Sequence, residues 1–176
     1  MTEEEFLELV QKHQDQVYRH TLYLLKNIDD AKDMTQETFM KAWQHRSKLR
    51  QDTVRYWLLK CARNLCFNKI KRRKFQVHLS DEEDGNSLEI LLQEHSHQPN
   101  PSPEENTINQ ETKQLVHQAI SELPPDIRSI VVMRELEEMS YKEIAMVVKQ
   151  SENTIKSTVF RARKKLREIL NRIMEI

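Results

Sequence analysis

Two stretches of this chain carry side chains suited to holding nucleic acid. The first lies between Asp52 and Asp81, a span with no acidic residue inside it. It holds Arg55, Lys60, Arg63, Lys69, Lys71, Arg72, Arg73 and Lys74, interleaved with Tyr56, Trp57 and Phe67 and with Asn64 and Asn68. Cations neutralise phosphate and aromatic faces accept unstacked bases, so this is the chemistry of a single-strand or backbone-tracking surface. Trp57 also falls on an apolar stripe, where it would be core. The second stretch runs from Ser140 to Arg167. Ser140 with Glu143 three residues on is a capping-box pattern. Ile144, Ala145 and Val148 share a face, and the pattern breaks at Lys149-Gln150. Ser151 can cap a second helix with the apolar stripe Ile155, Val159, Ala162, Leu166, Ile169, Leu170 and Ile173, at helical spacing. Its other face carries Lys156, Ser157, Arg161, Arg163, Lys164, Lys165 and Arg167. A short helix, a tight turn and a longer basic helix suit a helix-turn-helix that lays its second helix in a DNA major groove. A helical hairpin with a solvated basic face is the other reading of the same pattern. No Ser/His/Asp set, Gly-rich phosphate loop or ligand cluster stands out, so neither catalysis nor a cofactor is implied.

The elements that must carry these residues are helices. Thr2 with Glu5 can cap a first one, with Phe6, Val10, Val17, Tyr18, Leu24 and Leu25 inside and an end near Asn27. Asn27 or Asp29 can cap a second, with Asp29, Asp30 and Asp33 near its positive end. Ala31, Met34, Phe39, Ala42 and Trp43 would face inward, and Gln36, Glu37 and Lys41 outward. Residues 44–52 read as a polar, basic loop. Asp52 can cap a third helix containing Val54, Trp57, Leu58, Cys61, Ala62 and Leu65. Periodicity is lost over residues 75–101, apart from a short turn around Leu88–Leu92. Ser102-Pro103 with Glu105 starts a helix that runs to about Glu122, with Ile108, Leu115, Val116, Ala119 and Ile120 inside. Pro124-Pro125 opens the next, where Ile127, Ile130, Val131 and Leu136 pack.

Composition agrees. The chain has 176 residues with one Gly and five Pro, too few for the turns of an all-β fold. Nothing approaches the run of about 18 apolar residues that spans a membrane, and the acidic N-terminus lacks a signal-peptide core. Cys61 and Cys66 sit on different helix faces, as expected of reduced thiols in a cytoplasmic protein. The formal net charge is zero, yet it is distributed unevenly. Residues 1–75 hold 16 Lys+Arg against 10 Asp+Glu, residues 76–110 hold none against 8, and residues 111–176 hold 12 against 10. Two basic blocks flank an acidic connector, which suggests a nucleic-acid partner for the blocks. His95 and His97 in the connector, Pro-flanked and with no Cys nearby, do not make a zinc site. The expected fold is all-α: two small helical domains, 1–75 and 102–176, joined by a flexible acidic linker at 76–101.

The segment from Asp30 to Trp43 resembles the core-binding region 2.2 of bacterial sigma-70-family factors. Trp57 to Asn64, running into Lys71–Lys74, resembles regions 2.3 and 2.4. Leu123-Pro124 with Arg128, followed by Ser140–Arg167, resembles region 4. The absence of an intermediate domain is typical of the extracytoplasmic-function (ECF) group. The resemblance implies a transcription initiation factor that binds core RNA polymerase, directs it to −35/−10 promoters and assists DNA melting. It implies that Asp33, Gln36, Glu37 and Lys41 meet the β′ clamp helices, and that region 4 sits on the β-flap. It places Arg46, Arg55, Tyr56, Lys60, Arg63, Asn64, Lys69, Lys71, Arg72 and Arg73 at the −10 element. Lys156, Ser157, Phe160, Arg161 and Lys164 would face the −35 major groove, where Arg and Lys can read guanine. An anti-sigma factor is a further implied partner. Three positions depart from the family pattern. Lys149-Gln150-Ser151 stands where the turn often has Gly, Thr158 stands where Arg usually follows Lys-Ser, and the 44–52 loop lacks the common Phe-Arg-Gly.

Two other functions fit the helix-turn-helix alone. A regulator with an N-terminal sensing domain would bind a palindromic operator without polymerase; the match over Asp30–Trp43 argues against it. A helical adaptor would tolerate charge reversal at Arg161 and Arg163.

Overall fold

The computed structural model describes the backbone of residues 1–77 and 103–175, with side chains for 1–76 and 110–175. Seven helices and no strands are present among the described residues: α1 (Glu3–Leu25), α2 (Ile28–Gln44), α3 (Val54–Val77), α4 (Pro103–Ser121), α5 (Pro125–Val131), α6 (Tyr141–Val148) and α7 (Glu152–Met174). The all-α expectation holds, with three helices before the connector and four after it.

The helix starts follow local chemistry. Thr2 and Glu5 form the expected capping box on α1, and Asn27 caps α2 through the Asp30 N–H. Ser140 and Glu143 form a second box on α6, and Ser151 accepts from Thr154 at the start of α7. Such caps satisfy orphan N–H groups and contribute about 1 kcal/mol each. Asp52 does not cap α3. It pairs with Arg50, and the Thr53 carbonyl takes the Trp57 N–H instead. Helix α3 also outlasts its sequence periodicity, running to Val77 rather than fading at residue 75. The proposed turn at Leu88–Leu92, His95, His97, and the Ser102 and Ile108 side chains lie outside the described residues.

Helices α1 to α3 close around Leu9, Val17, Phe39, Ala42, Val54, Leu58 and Ala62. The second half packs onto them rather than standing apart. One cluster joins Leu22, Tyr23 and Ala31 to Ala119, Ile120, Leu123, Val131, Val132, Ala162 and Ile169. Another sets Leu59 of α3 among Ile130, Met133, Met139, Ile144, Val147, Ile155 and Val159, which form the inside of the helix-turn-helix. Arg128 fastens this contact. It is 5% exposed and donates to the carbonyls of Tyr23 and Leu24 at the end of α1, of Ser121 at the end of α4 and of Leu123 just past it. One guanidinium thus caps two helix C-termini, where backbone partial charge is negative. Burial pulls its pKa down to about 10.

Helix α5 does not stop at Val131. It widens into a π-helical turn, Val132–Leu136, and Glu138 then takes φ 53°. A non-glycine residue in that region costs roughly 1–2 kcal/mol. The turn directs Glu137 back toward α1 and α3, where its carboxylate meets Arg19 at 2.7 Å.

Candidate nucleic-acid interface

Helix α7 presents its basic face as its periodicity requires. Ile155, Val159, Ala162 and Ile169 are buried, and Leu166, Leu170 and Ile173 are half-buried against the core. Lys156, Ser157, Phe160, Arg161 and Lys164 are all exposed, Phe160 by 75%. Lys156 spans to Glu152 at 3.3 Å and lies 5.9 Å from the Tyr141 ring, both weak surface contacts. Lys149 closes the turn before α7 at φ 56°, the conformation a Gly would take without strain. The turn therefore forms without Gly. Thr158 is half-buried, so the position where Arg was expected lies at the edge of the outward face.

Helix α3 divides its polar residues into three sets. Asn64, Asn68, Lys71 and Arg72 recur at helical spacing and are all exposed, with apolar Phe75 beside them at 76% exposure. Lys69 and Arg73 turn to α2, where both pair with Asp30, the former at 3.2 Å. Arg55, Tyr56 and Arg63 turn to the second half of the chain. Arg55 donates to the Glu137 carbonyl at 3.1 Å and to Gln16 at 3.1 Å. The Tyr56 hydroxyl donates to Glu143 at 2.7 Å, which raises the phenol pKa and holds the Glu143 carboxyl below its ordinary range. Arg63 stacks 4.4 Å from the Phe67 ring. Burial lowers its pKa, against the opposing influence of Asp126.

A third surface lies between α1 and α2. It is a largely apolar groove of about 660 Å³, framed by Phe6, Val10, Gln36, Phe39, Met40 and Trp43. Trp43 was expected inside. It is instead 37% exposed, edge-on to Phe6 at 4.9 Å, with the Arg46 guanidinium 4.0 Å from its ring. One step along a helix turns a side chain by about 100°, so Trp43 leaves the inward line of Phe39 and Ala42 and forms the groove wall.

These surfaces coincide with two known sequence families. Residues 9–76 match Sigma-70 region 2, and residues 113–166 match Sigma-70, region 4. The chain is 32% identical over 165 residues to the ECF RNA polymerase sigma factor SigM of Bacillus subtilis, covering 94% of each chain. It is 31% identical to the RNA polymerase sigma-H factor of Pseudomonas aeruginosa, covering 94% of this chain and 86% of that one. The chain belongs to the ECF sigma factors. It is a transcription initiation factor that binds core RNA polymerase and directs it to −35/−10 promoters, assisting DNA melting. The fold agrees. The sigma factor RpoE of Bartonella quintana, solved in complex with the anti-sigma factor NepR, superposes with a TM-score of 0.73 at 23% identity, covering 95% of this chain and 97% of that one.

The residues that the sequence assigns to DNA on the sigma factor's two basic helices fare differently. The five on α7 lie together on one open face. Of the ten assigned to the −10 element, Asn64, Lys71 and Arg72 lie on the open stripe of α3, and Lys60 is half-buried. Lys69 and Arg73 are tied to Asp30, Arg55 and Tyr56 to the second half, and Arg46 to Trp43, while half-buried Arg63 stacks on Phe67. Of the four assigned to the polymerase, Gln36 lines the groove, Asp33 is exposed, and Glu37 pairs with Lys41 at 3.8 Å. Sequence reasoning missed Met40 and Phe75. Both are apolar side chains at outward helical positions, a signal that periodicity alone could have given.

Proposed function

We propose that residues 1–75 act as the region that binds core polymerase and the −10 element, and residues 102–176 as the region that reads −35, with 76–101 as spacer. The carrying observation is the open face of α7. Lys156, Ser157, Phe160, Arg161 and Lys164 are exposed above a buried apolar stripe, the arrangement a helix needs to enter a major groove. On α3, Asn64, Lys71 and Arg72 track the strand backbone near −10, Arg55, Tyr56 and Arg63 join them as the halves part, and Arg46, Lys60, Lys69 and Arg73 border the same region, the last two held by Asp30. The α1–α2 groove receives the ridge of a β′ clamp helix. Trp43 and Met40 supply apolar contact, and Asp33, Gln36, Glu37 and Lys41 form the polar rim, a division common to protein interfaces. Region 4 sits on the β-flap.

The factor works in the cytoplasm and carries out no chemistry of its own. No described helix is long and apolar enough to cross a membrane. RpoE was solved with the anti-sigma factor NepR, and CnrH with the cytosolic domain of CnrY, and an anti-sigma factor is a fitting partner here too. Run-off transcription with reconstituted holoenzyme tests the reading. Arg161→Ala is expected to cost about 1–3 kcal/mol at a −35-dependent promoter, a drop of roughly 5- to 150-fold, with core binding kept. Unchanged transcription from that promoter would sink the assignment of α7.

A further inference from the structure

Arg46 follows α2 in a loop read as promoter-facing, yet its guanidinium is committed to Trp43. Helix α2 ends at Gln44, and the last carbonyls of a helix have no partner within it. The Trp43 carbonyl finds two donors on Arg46, the backbone N–H at 3.2 Å and Nη1 at 2.9 Å. The same guanidinium lies 4.0 Å from the centre of the Trp43 ring. A cation is favoured at both places, the negative end of a helix and the face of an indole. Phe6 of α1 meets the same ring edge-on at 4.9 Å. Trp43 is 37% exposed, and a side chain that open keeps one rotamer only where contacts of this kind hold it. The other cations of the loop are placed differently. Lys48 and Arg50 are exposed, the latter beside exposed Asp52, whereas Arg46 is half-buried.

We propose that Arg46 is a positioning residue of the polymerase groove and not a promoter contact. Stacked on Trp43 and bonded to its carbonyl, it holds the indole in place as the groove wall before a partner helix arrives. A wall fixed in advance loses less side-chain freedom on docking, so affinity is gained without a new contact. The proposal rests on the assignment of the α1–α2 groove to the clamp helix made above. It divides the work of the loop. Arg46 serves the groove, and Lys48 and Arg50 stay open to solvent, where phosphate can reach them.

Competition against a labelled wild-type chain measures how tightly each unlabelled full-length variant binds core polymerase. Arg46→Ala is expected to weaken binding about two- to fivefold, the range of an exposed cation–π contact, with the far-UV circular dichroism unchanged. Arg46→Lys keeps the charge but not the planar fork, and should fall between that variant and wild type. Trp43→Ala removes the wall itself and should weaken binding about tenfold or more. The double variant decides. Once the indole is gone Arg46 has nothing to position, so Arg46→Ala in the Trp43→Ala background should cost nothing further. If the full loss recurs there, Arg46 acts on polymerase without Trp43 and the proposal is overturned. An unweakened Arg46→Ala chain overturns it as well. With core polymerase saturated, Arg46→Ala holoenzyme should bind a promoter fork as wild type does and with the same salt slope. Loss of an increment of about 0.7–0.9 in that slope returns Arg46 to the promoter. If Trp43→Ala binds core as tightly as wild type, the groove is not the polymerase seat, and that reading falls together with the proposal. A response at Trp43 with none at Arg46 removes the proposal alone.

Discussion

Helices α3 and α7 have nearly the same length, 24 and 23 residues, and both are rich in Lys and Arg. One of them spends its cations on the protein. On α7 the apolar residues recur every three or four positions, so the polar residues are left on one continuous outward face. On α3 cations occur all round the helix, between buried Leu58, Leu59, Ala62 and Cys66. Those that point inward must find acceptors, because a buried charge without a partner is costly. Asp30 takes Lys69 and Arg73, and Glu137 takes Arg55 through its carbonyl. A count of basic residues therefore overstates the open basic surface of α3 more than that of α7, where Arg163 and Arg172 pair with Glu135 and Glu122 at exposed positions. Periodicity, not charge, separates the two.

The largest expected effect probes what α3 contributes to the other half. Leu59 is fully buried, and its neighbours are mostly residues of the helix-turn-helix. Leu59→Ala removes apolar contact and leaves a cavity, at a cost of about 3 kcal/mol. Urea unfolding of the full chain reads this as a lower midpoint. Phe160→Ala, at a 75% exposed site on α7, is expected to stay within about 0.5 kcal/mol of wild type. Equal losses at the two sites would mean that the outward face of α7 is also packed, and the contrast between the helices would fail.

Most of the architecture was legible because helix signals are local. The capping boxes at Thr2 and Ser140, the cap at Asn27 and the stripe of α7 each depend on residues within a turn or two of one another. The docking of the two halves was not legible. Leu22 and Leu59 fall outside the apolar stripes read for the first and third helices, and nothing in their spacing says that Ile120 or Ile144 will complete their surroundings. Trp43 was misplaced for a related reason. Its neighbours place it on the edge of the apolar stripe, and only the gap between α1 and α2 decides that the edge is a groove. The site residues divide along the same line. Local pattern placed those of α7 together on one exposed face, and tertiary partners redistributed those of α3.

A medium-sized effect comes from pH. His20 of α1 is fully buried, 3.2 Å from Ser129 of α5, with its Nδ1 lacking a partner among the described atoms. Burial, reinforced by the positive charge of Arg63 on α3, takes its pKa from 6.5 down to about 3. Between those values the unfolded chain binds a proton that the folded chain does not. Stability therefore rises with pH through this window and is lost as pH falls below about 6.5, by up to roughly 1.4 kcal/mol per unit. Unfolding midpoints at about pH 7.5 and pH 5.5 measure the slope. His20→Gln should flatten it, whereas Lys164→Ala, on the open face of α7, should leave it as in wild type. An unchanged slope in the glutamine variant would show that His20 is not the group protonated on unfolding.

The smallest expected effect divides α3 against itself. Lys71 is exposed on the stripe with Asn64, Asn68 and Arg72, while Lys69, two residues earlier, is held by Asp30 at 3.2 Å beside Arg73. Each phosphate neutralised by a protein cation adds about 0.9 to the slope of log affinity against log salt on duplex DNA and about 0.7 on a single strand. Holoenzyme bound to a promoter fork should lose nearly one such increment with Lys71→Ala. It should lose little with Lys69→Ala, since that lysine already has an anion and Arg73 remains to hold Asp30 in place. Neither change should move stability by more than about 0.5 kcal/mol, as expected for solvent-facing and partly exposed ion pairs. A full increment lost at Lys69 as well would mean that Asp30 releases its lysine on binding DNA. The inward cations of α3 would then be a reserve for the promoter rather than part of the scaffold.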